Sequence, residues 1–428
     1  MLWEHQLILA EKAEQILRKR GIVYLAMEMR VGKTLIALEA CARLGVKSVF
    51  FVTKKKAISS IVNDYQREQY YRMFELTVVN YEQVHKYNPN NYDVVIVDEA
   101  HSLGAFPRPS LRTKRLKNFV RDKYLILMSG TPTPESFSQI YHQFWISDST
   151  PFEEINFYKW AQRYVNIKQK MINGYKINDY SDAYEDAIMS VVLPYFLTFT
   201  QQQAGFRFLQ IEDEIITVRA KPVVYEVINK LLRHRYVRLF RGNEIYEVVA
   251  DTAAKLLLKI HQVCSGTVIT ENDGEAVVLD TTKARYIRDR FGSKGFAIYY
   301  KFKAEGDVLR RVFPNHTFDP MEFARNSNRV FLSQIQSGSM GIDLSSADAI
   351  IFYNIDYSFT NYWQARNRIQ NRFLSHTPKI YWVFIEDGIE EKILRVVRKK
   401  RDYTSYYFKK DFFITKSEQE RNNVGVNI

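Results

Sequence analysis

Short, mostly apolar runs of strand length recur along this chain and narrow its fold more than any other feature. They are IVYLA (22–26), SVFFV (48–52), YDVVIVD (92–98) and YLILMSG (124–130), then GFAIYY (295–300), RVFLSQ (329–334), AIIFYN (349–354) and KIYWVFI (379–385). Alternation of apolar and polar residues would mark a strand with one wet face; continuous apolar runs mark strands covered on both faces, as in parallel sheets. Helical patterns sit between them, over residues 4–19 ended by Gly21 and over TLIALEACARL (34–44) closed by Gly45. The runs are too short to cross a bilayer, and the charged first residues do not read as a signal peptide, so no membrane association is expected. The alternation lapses between about 150 and 280. There FEEINFYKWAQRYV (152–165), DAYEDAIMSVVLPYFL (182–197) and VVYEVINKLLRHRYVRLF (223–240) read as helices. The expected fold is α/β: two lobes built on parallel sheets flanked by helices, with a helical elaboration between them. The expected division is 1–205 for the first lobe, with the elaboration from about 150. The second lobe follows over 206–410, opened by a helical linker region to about 280, and a polar, mobile tail over 411–428.

In 428 residues, 61 Lys and Arg outnumber 48 Asp and Glu, for a net charge of +13. Such an excess points to an acidic partner, nucleic acid first and an anionic membrane surface second; a basic enzyme without a polyanion is the plain alternative. Cys41 and Cys264 form no C-x-x-C pair, so neither zinc nor a disulfide framework is expected, and the chain is placed in a reducing, cytoplasmic setting.

Ligands of parallel sheets bind at the C-terminal ends of the strands, and two such ends carry chemistry. After IVYLA the chain reads MEMRVGKT, in which Gly32, Lys33 and Thr34 open a helix. Backbone N–H groups of Met29, Arg30, Val31 and Gly32 could cradle phosphates there, Lys33 neutralise them and Thr34 hold Mg²⁺. The strict phosphate-loop pattern wants glycine at 27, where this chain has Met27, so a chance Gly-Lys-Thr stays open at this point. The second end decides between them. VVIVDEAH closes a strand at Asp98, whose carboxylate suits Mg²⁺, followed by Glu99, suited to orient an attacking water. Together the two ends indicate ATP hydrolysis with Mg²⁺.

With these motifs the chain resembles superfamily 2 helicases, within them the Swi/Snf-type DNA translocases, in a compact phage or mobile-element form. The family loop runs like ADEMGLGKT, so Arg30 stands for its middle glycine. The resemblance implies two RecA-like lobes that close on ATP. It makes LWEHQ (2–6) an adenine-reading segment through Gln6. It makes LMSGTPTPES (127–136) a coupling motif through Ser129 and Thr131, joined by His101. VFFVTKKKAISSIVNDY (49–65), VVNYEQV (78–84) and FAIYYKF (296–302) become nucleic-acid contacts through Thr53, Lys54, Asn80, Tyr81 and Lys301. IQSGSMGIDLSSA (335–347) becomes a fifth motif, with Ser337 on nucleic acid and Gly341 and Asp343 towards the nucleotide. YWQARNRIQNR (362–372) becomes a sixth, with Gln364 coupling and Arg368 catalytic. The family's second arginine position holds Asn371, so Arg372 is taken as the finger across a one-residue insertion and Arg366 as a surface residue. The implied partner is DNA, duplex or single-stranded, with replication or recombination proteins beside it, in a bacterial or phage-infected cell. An RNA-directed helicase and a scaffold with a decayed ATP site are the rival readings.

RTKRLK (112–117), LLRHRYVRLFR (231–241) and VVRKKRDYTSYYFKK (396–410) mix cations with aromatics; each suits either a phosphate backbone or a solvated helix face. His5, His85 and His261 lack metal-ligand spacing and read as structural. IEEK (389–392) reads as a helix start.

Overall fold

The computed structural model describes residues 2–172, 175–205, 211–271, 274–326, 328–338, 344, 346–369, 377 and 379–398. Contacts divide the chain into two compact units between residues 206 and 207.

The first unit begins with a helix, α1 (Glu4–Arg20), closed by Gly21 in the left-handed region at φ 74°. Its strands are β1 (Ile22–Met27), β2 (Ser48–Thr53), β3 (Glu75–Asn80), β4 (Val94–Asp98), β5 (Tyr124–Ser129), a β6–β7 hairpin (Lys168–Ile172, Tyr175–Asp179) and β8 (Phe196–Phe199). Six of them form one parallel sheet in the order β3-β2-β4-β5-β1-β8. Successive residues of each central strand enter opposite cores. Tyr24, Phe50, Val95 and Leu127 pack on one face with Phe144, Trp160 and Ile188. Val23, Phe51, Ile96 and Met128 pack on the other with α1 and the helix α2 (Lys33–Leu44). Both faces are apolar because both are buried, which is why the runs show no alternation.

The second unit holds β9 (Glu212–Val218), a β10–β11 hairpin (Tyr236–Arg241, Glu244–Val249), a β12–β13 hairpin (Thr267–Ile269, Ala276–Val278), β14 (Phe296–Tyr300), β15 (His316–Thr317), β16 (Val330–Gln334), β17 (Ala349–Phe352) and β18 (Lys379–Ile385). Its six-stranded sheet is again parallel, in the order β15-β16-β14-β17-β18-β9. Its two faces bury separate clusters around Trp382 and Phe352 and around Ile298 and Tyr353. The fold is therefore two RecA-like parallel sheets flanked by helices.

The region between the sheets is less helical than its sequence suggests. The helix expected over 182–197 stops at Val192; Pro194 then opens a single turn and Phe196–Phe199 leaves as β8 on the edge of the first sheet. The helix expected over 223–240 stops at His234, and Arg235 at φ 59° turns the chain into β10. The tail over 411–428 lies outside the described residues.

Candidate nucleotide site

The C-terminal edge of the first sheet gathers the expected residues. β1 runs out at Met27, and α2 starts at Lys33 with Gly32 as its cap at φ 86°. Glycine is required there twice over: the backbone is left-handed, and a Cβ would lie 2.0 Å from Gln6 Nε2. Gln6 is fixed over the loop, its Oε1 accepting the Trp3 N–H at 2.9 Å and its Nε2 donating to the Val31 carbonyl at 3.5 Å. Arg30, at the family's glycine position, keeps the glycine conformation at φ 66°. A side chain in that region costs about 1–2 kcal/mol, so the loop shape is imposed by its surroundings. Lys33 Nζ donates to the carbonyls of Met27 and Glu28 at 2.9 Å each.

The far side of the loop is tied to a segment with no motif. Gln201 Nε2 donates to the Met29 carbonyl at 2.7 Å, and the Gln201 N–H donates to Glu28 Oε2 at 2.7 Å. The Glu28 N–H continues the sheet onto the Phe199 carbonyl at 3.0 Å. His5 stacks on Phe199 and lies 3.3 Å from the Val31 carbonyl. Burial raises the Glu28 carboxyl, while the Gln201 N–H and the Lys33 charge oppose the rise. Sequence reasoning missed Gln201 because Gln201-Gln202-Gln203 has no pattern; a polar residue just after an edge strand was the one available sign.

The acidic turn lies on the same edge, since Ala26 pairs with Ser129 and Asp98 with Met128. Thr53 Oγ1 donates to Asp98 Oδ2 at 2.9 Å, and the Glu99 N–H donates to Asp98 Oδ1 at 3.0 Å. The left-handed turn at Glu99, φ 54°, makes the second bond possible. Burial, then the neighbouring Glu99 charge, pushes the Asp98 carboxyl up to about 6, against Thr53 and Lys33. Lys33 and Asp98 thus feel one another's charge across the loop. His101 Nδ1 lies 2.9 Å from Ser129 Oγ and 3.3 Å from Glu99 Oε2, and Ser129 Oγ accepts the Thr131 N–H at 3.0 Å. Burial lowers His101 to about 4, so it is neutral at pH 7. His101, Ser129 and Thr131, the residues expected to couple, form one chain of contacts leading away from Glu99.

Two expected nucleic-acid contacts are corrected. Thr53 is fully buried and spends its hydroxyl on Asp98; Tyr81 is 3% exposed and donates its hydroxyl to the Asp98 carbonyl. Both brace the acidic turn and present no side chain to a ligand. Asn80 Oδ1 accepts the Gln83 N–H at 3.1 Å. Lys54 is half-buried: burial lowers its ammonium and the charges of Glu99 and Asp98 oppose that, which sets it beside the acidic pair.

In the second unit Gln364 is buried on the helix Phe359–Arg366, and the Arg368 carbonyl accepts the Leu344 N–H at 3.0 Å. Arg366 is not at the surface: it is 6% exposed and paired with Asp213, which also accepts the Trp382 Nε1–H at 3.1 Å. The Lys301 ammonium lies 5.3 and 5.4 Å from the ring centroids of Phe302 and Tyr357. Gly341, Asp343 and Arg372 lie outside the described residues, and nothing is described of the Ser337 side chain.

Among the described residues no group of three or more His, Cys, Asp or Glu is set to hold a metal. What the loop and the acidic turn offer is the Thr34 hydroxyl and the carboxylate of Asp98, with Glu99 beside it and Glu28 turned to the Gln201 N–H. That hard-oxygen set suits Mg²⁺, which takes one or two protein ligands and fills its shell with water and phosphate oxygens.

A Gly-Lys-Thr turn opening a helix beside an acidic strand end on one parallel sheet is the arrangement that P-loop nucleoside triphosphatases use. The family described as "Helicase conserved C-terminal domain" matches residues 319–371. Over 350 residues, 76% of this chain, the sequence is 21% identical to the CHD3-type chromatin-remodeling factor CHR7 of Arabidopsis thaliana, of which the match covers 28%. Over 107 residues, 24% of this chain and 4% of the other, it is 37% identical to helicase ssl-1 of Caenorhabditis elegans. The solved Sulfolobus solfataricus SWI2/SNF2 ATPase core in complex with dsDNA aligns over 100% of this chain and 98% of that one, with a TM-score of 0.42 and 14% identity. In its ordered motifs and these relatives, the chain is similar to superfamily 2 helicase-type ATPases of the Swi/Snf kind. It spans less than a third of the two curated relatives it matches over most of its own length, 28% of one and 15% of the other.

Proposed function

We propose that the chain hydrolyses ATP under stimulation by DNA and uses the hydrolysis to move along DNA. The observation that carries this is one sheet edge on which Lys33 and Thr34 open α2 beside Asp98 and Glu99, with the Lys33 charge acting on Asp98. Lys33 receives the β and γ phosphates, and Asp98 and Thr34 would hold Mg²⁺, which when bound would neutralise phosphate charge. Glu99 orients the attacking water, and the contacts through His101 and Ser129 to Thr131 report its state outward. The net charge of +13 supports a nucleic-acid partner. The setting we propose is replication or recombination of phage or mobile-element DNA in the cytoplasm of a bacterial host. Its support is the resemblance to compact members of the family.

Arg30 in a left-handed conformation favours a second reading, a nucleic-acid-binding scaffold that no longer turns over ATP. The braced Asp98–Glu99 turn speaks against it. Phosphate release, measured alone and with duplex DNA, single-stranded DNA or RNA, tests the proposal. It expects Mg²⁺-dependent hydrolysis that DNA accelerates. Absence of hydrolysis with every polymer overturns the enzyme, and acceleration by RNA alone overturns the DNA partner.

A further inference from the structure

The basic stretch 231–241, read from sequence as helical, is in fact the end of one helix and the first strand of a hairpin. β10 and β11 pair in register from Tyr236 opposite Val249 to Arg241 opposite Glu244, turning through Gly242 and Asn243. Gly242 has φ 60°, a conformation that suits a tight two-residue turn. One face of the hairpin is core: Val237, Tyr246 and Val248 pack against the helices Pro222–His234 and Ala253–Cys264. The other face carries Phe240, 72% exposed, directly opposite Ile245, 51% exposed. Residues 233–241 contain four arginines and no carboxylate. Arg238 is held across the strands by Glu247 at 3.2 Å. Arg233, Arg235 and Arg241 are exposed and make no ion pair among the described residues.

A core does not need an aromatic at an outward hairpin position, and four arginines against the two carboxylates Glu244 and Glu247 leave residues 233–249 with an excess of positive charge. A polyanion with accessible ring faces fits both features. Building on the DNA reading above, we propose that the β10–β11 hairpin and the helix end before it grip unpaired DNA. Arg233, Arg235 and Arg241 bind phosphates, and Phe240 stacks on a base. Paired bases hide their faces in the duplex stack, so Phe240 discriminates in favour of single strands and frayed ends.

The test uses the full chain with three variants, Phe240→Ala, Phe240→Leu and the double variant Arg235→Ala/Arg241→Ala. The probes are a thymidine oligonucleotide and a blunt duplex. Binding anisotropy and the DNA concentration giving half-maximal ATPase stimulation are read for each, and the DNA-free rate should not move. Phe240→Ala and Phe240→Leu should both weaken single-strand binding about tenfold and change duplex binding by less than about twofold. The arginine pair should weaken both probes and lower the salt dependence by about 1.5–2 units of slope. A DNA-stimulated wild type whose variants bind both probes unchanged overturns the hairpin contact while leaving the proposed function standing. Phe240→Leu behaving as wild type while Phe240→Ala fails overturns stacking. A wild type that binds neither probe overturns both readings.

Discussion

Beyond the strand ends of the first sheet, Asp98 and Glu99 keep part of their surface open, and the Lys33 ammonium rests on two backbone carbonyls. Beyond those of the second, the carboxylates Glu305 and Glu390 are both 0% exposed. Glu390 is paired with Lys283 and accepts the Ile385 N–H at 2.9 Å. Glu305 accepts the N–H groups of Lys301 and Phe302 at 2.7 and 3.0 Å and is bonded to Asn354, which also meets His261 at 2.6 Å. Two parallel sheets thus end in similar chemical groups used in opposite ways. A carboxylate sealed with its partners fixes loops and cannot bind a ligand without losing them. One left partly open, with its neighbours bracing it, can. Charge at a strand end is not by itself a sign of chemistry; its accessibility separates the two uses.

That contrast can be broken most forcefully in the second unit. Glu390→Gln leaves the Lys283 ammonium buried without its counter-charge and should cost about 3–5 kcal/mol, read as a lowered midpoint in urea or heat. ATP turnover per folded molecule should be little changed; an unaltered midpoint would mean that the pair is not a structural lock. Glu99→Gln inverts the pattern. Turnover should fall by about 10²–10³, while stability stays within about 0.5 kcal/mol of the wild type. Phosphate release beside a melting curve checks both halves.

The central strands of both sheets were legible because burial on two faces leaves them mostly apolar, whereas the edge strands β3, β8, β9 and β15 were not; the Gly-Lys-Thr and Asp-Glu turns stood out because they follow such central strands. What was hidden is instructive. Residues 223–240 keep apolar positions at helical spacing through Leu231 and on to Val237 and Phe240, and no glycine or proline announces the turn at Arg235. The left-handed Arg30 and Glu99 are equally silent, since non-glycine residues rarely adopt that conformation. Thr53 and Tyr81 were expected on nucleic acid, yet which way a side chain faces at a strand end depends on packing that sequence does not display. Arg366, expected at the surface, is buried because Asp213, some 150 residues earlier, supplies its charge partner.

A smaller effect is expected at Gln201, invisible in the sequence. Gln201→Ala strips the Met29 carbonyl of its 2.7 Å donor, a loss of about 1–3 kcal/mol that loosens the loop from behind. KM for ATP should rise severalfold with a smaller change in kcat; a fall in kcat at constant KM would show that Gln201 acts elsewhere.

The subtlest test concerns protons. Burial holds the Asp98 carboxyl up at about 6, and Thr53 opposes the rise. Protons compete with the cation for Asp98, so turnover should fall as pH drops through about 6. Thr53→Val removes the opposing donor and should move this fall to higher pH, with the two proteins alike near pH 8. For folding the sign reverses. A carboxyl raised in the folded state contributes stability below its unfolded value, near 3.8, and that contribution is lost as pH rises through about 6. A profile unmoved by Thr53→Val would separate Asp98 from the acid limb.

The claim beneath all of this is that the turn through Gly32, Lys33 and Thr34 receives the phosphates of ATP. Titrating the wild type and Lys33→Ala with a fluorescent ATP analogue in Mg²⁺ tests it directly. Saturable binding by the wild type, weakened at least about tenfold in the variant, is the expected result, since one charge-assisted contact is worth that much or more. Equal affinity of the two proteins would contradict the account.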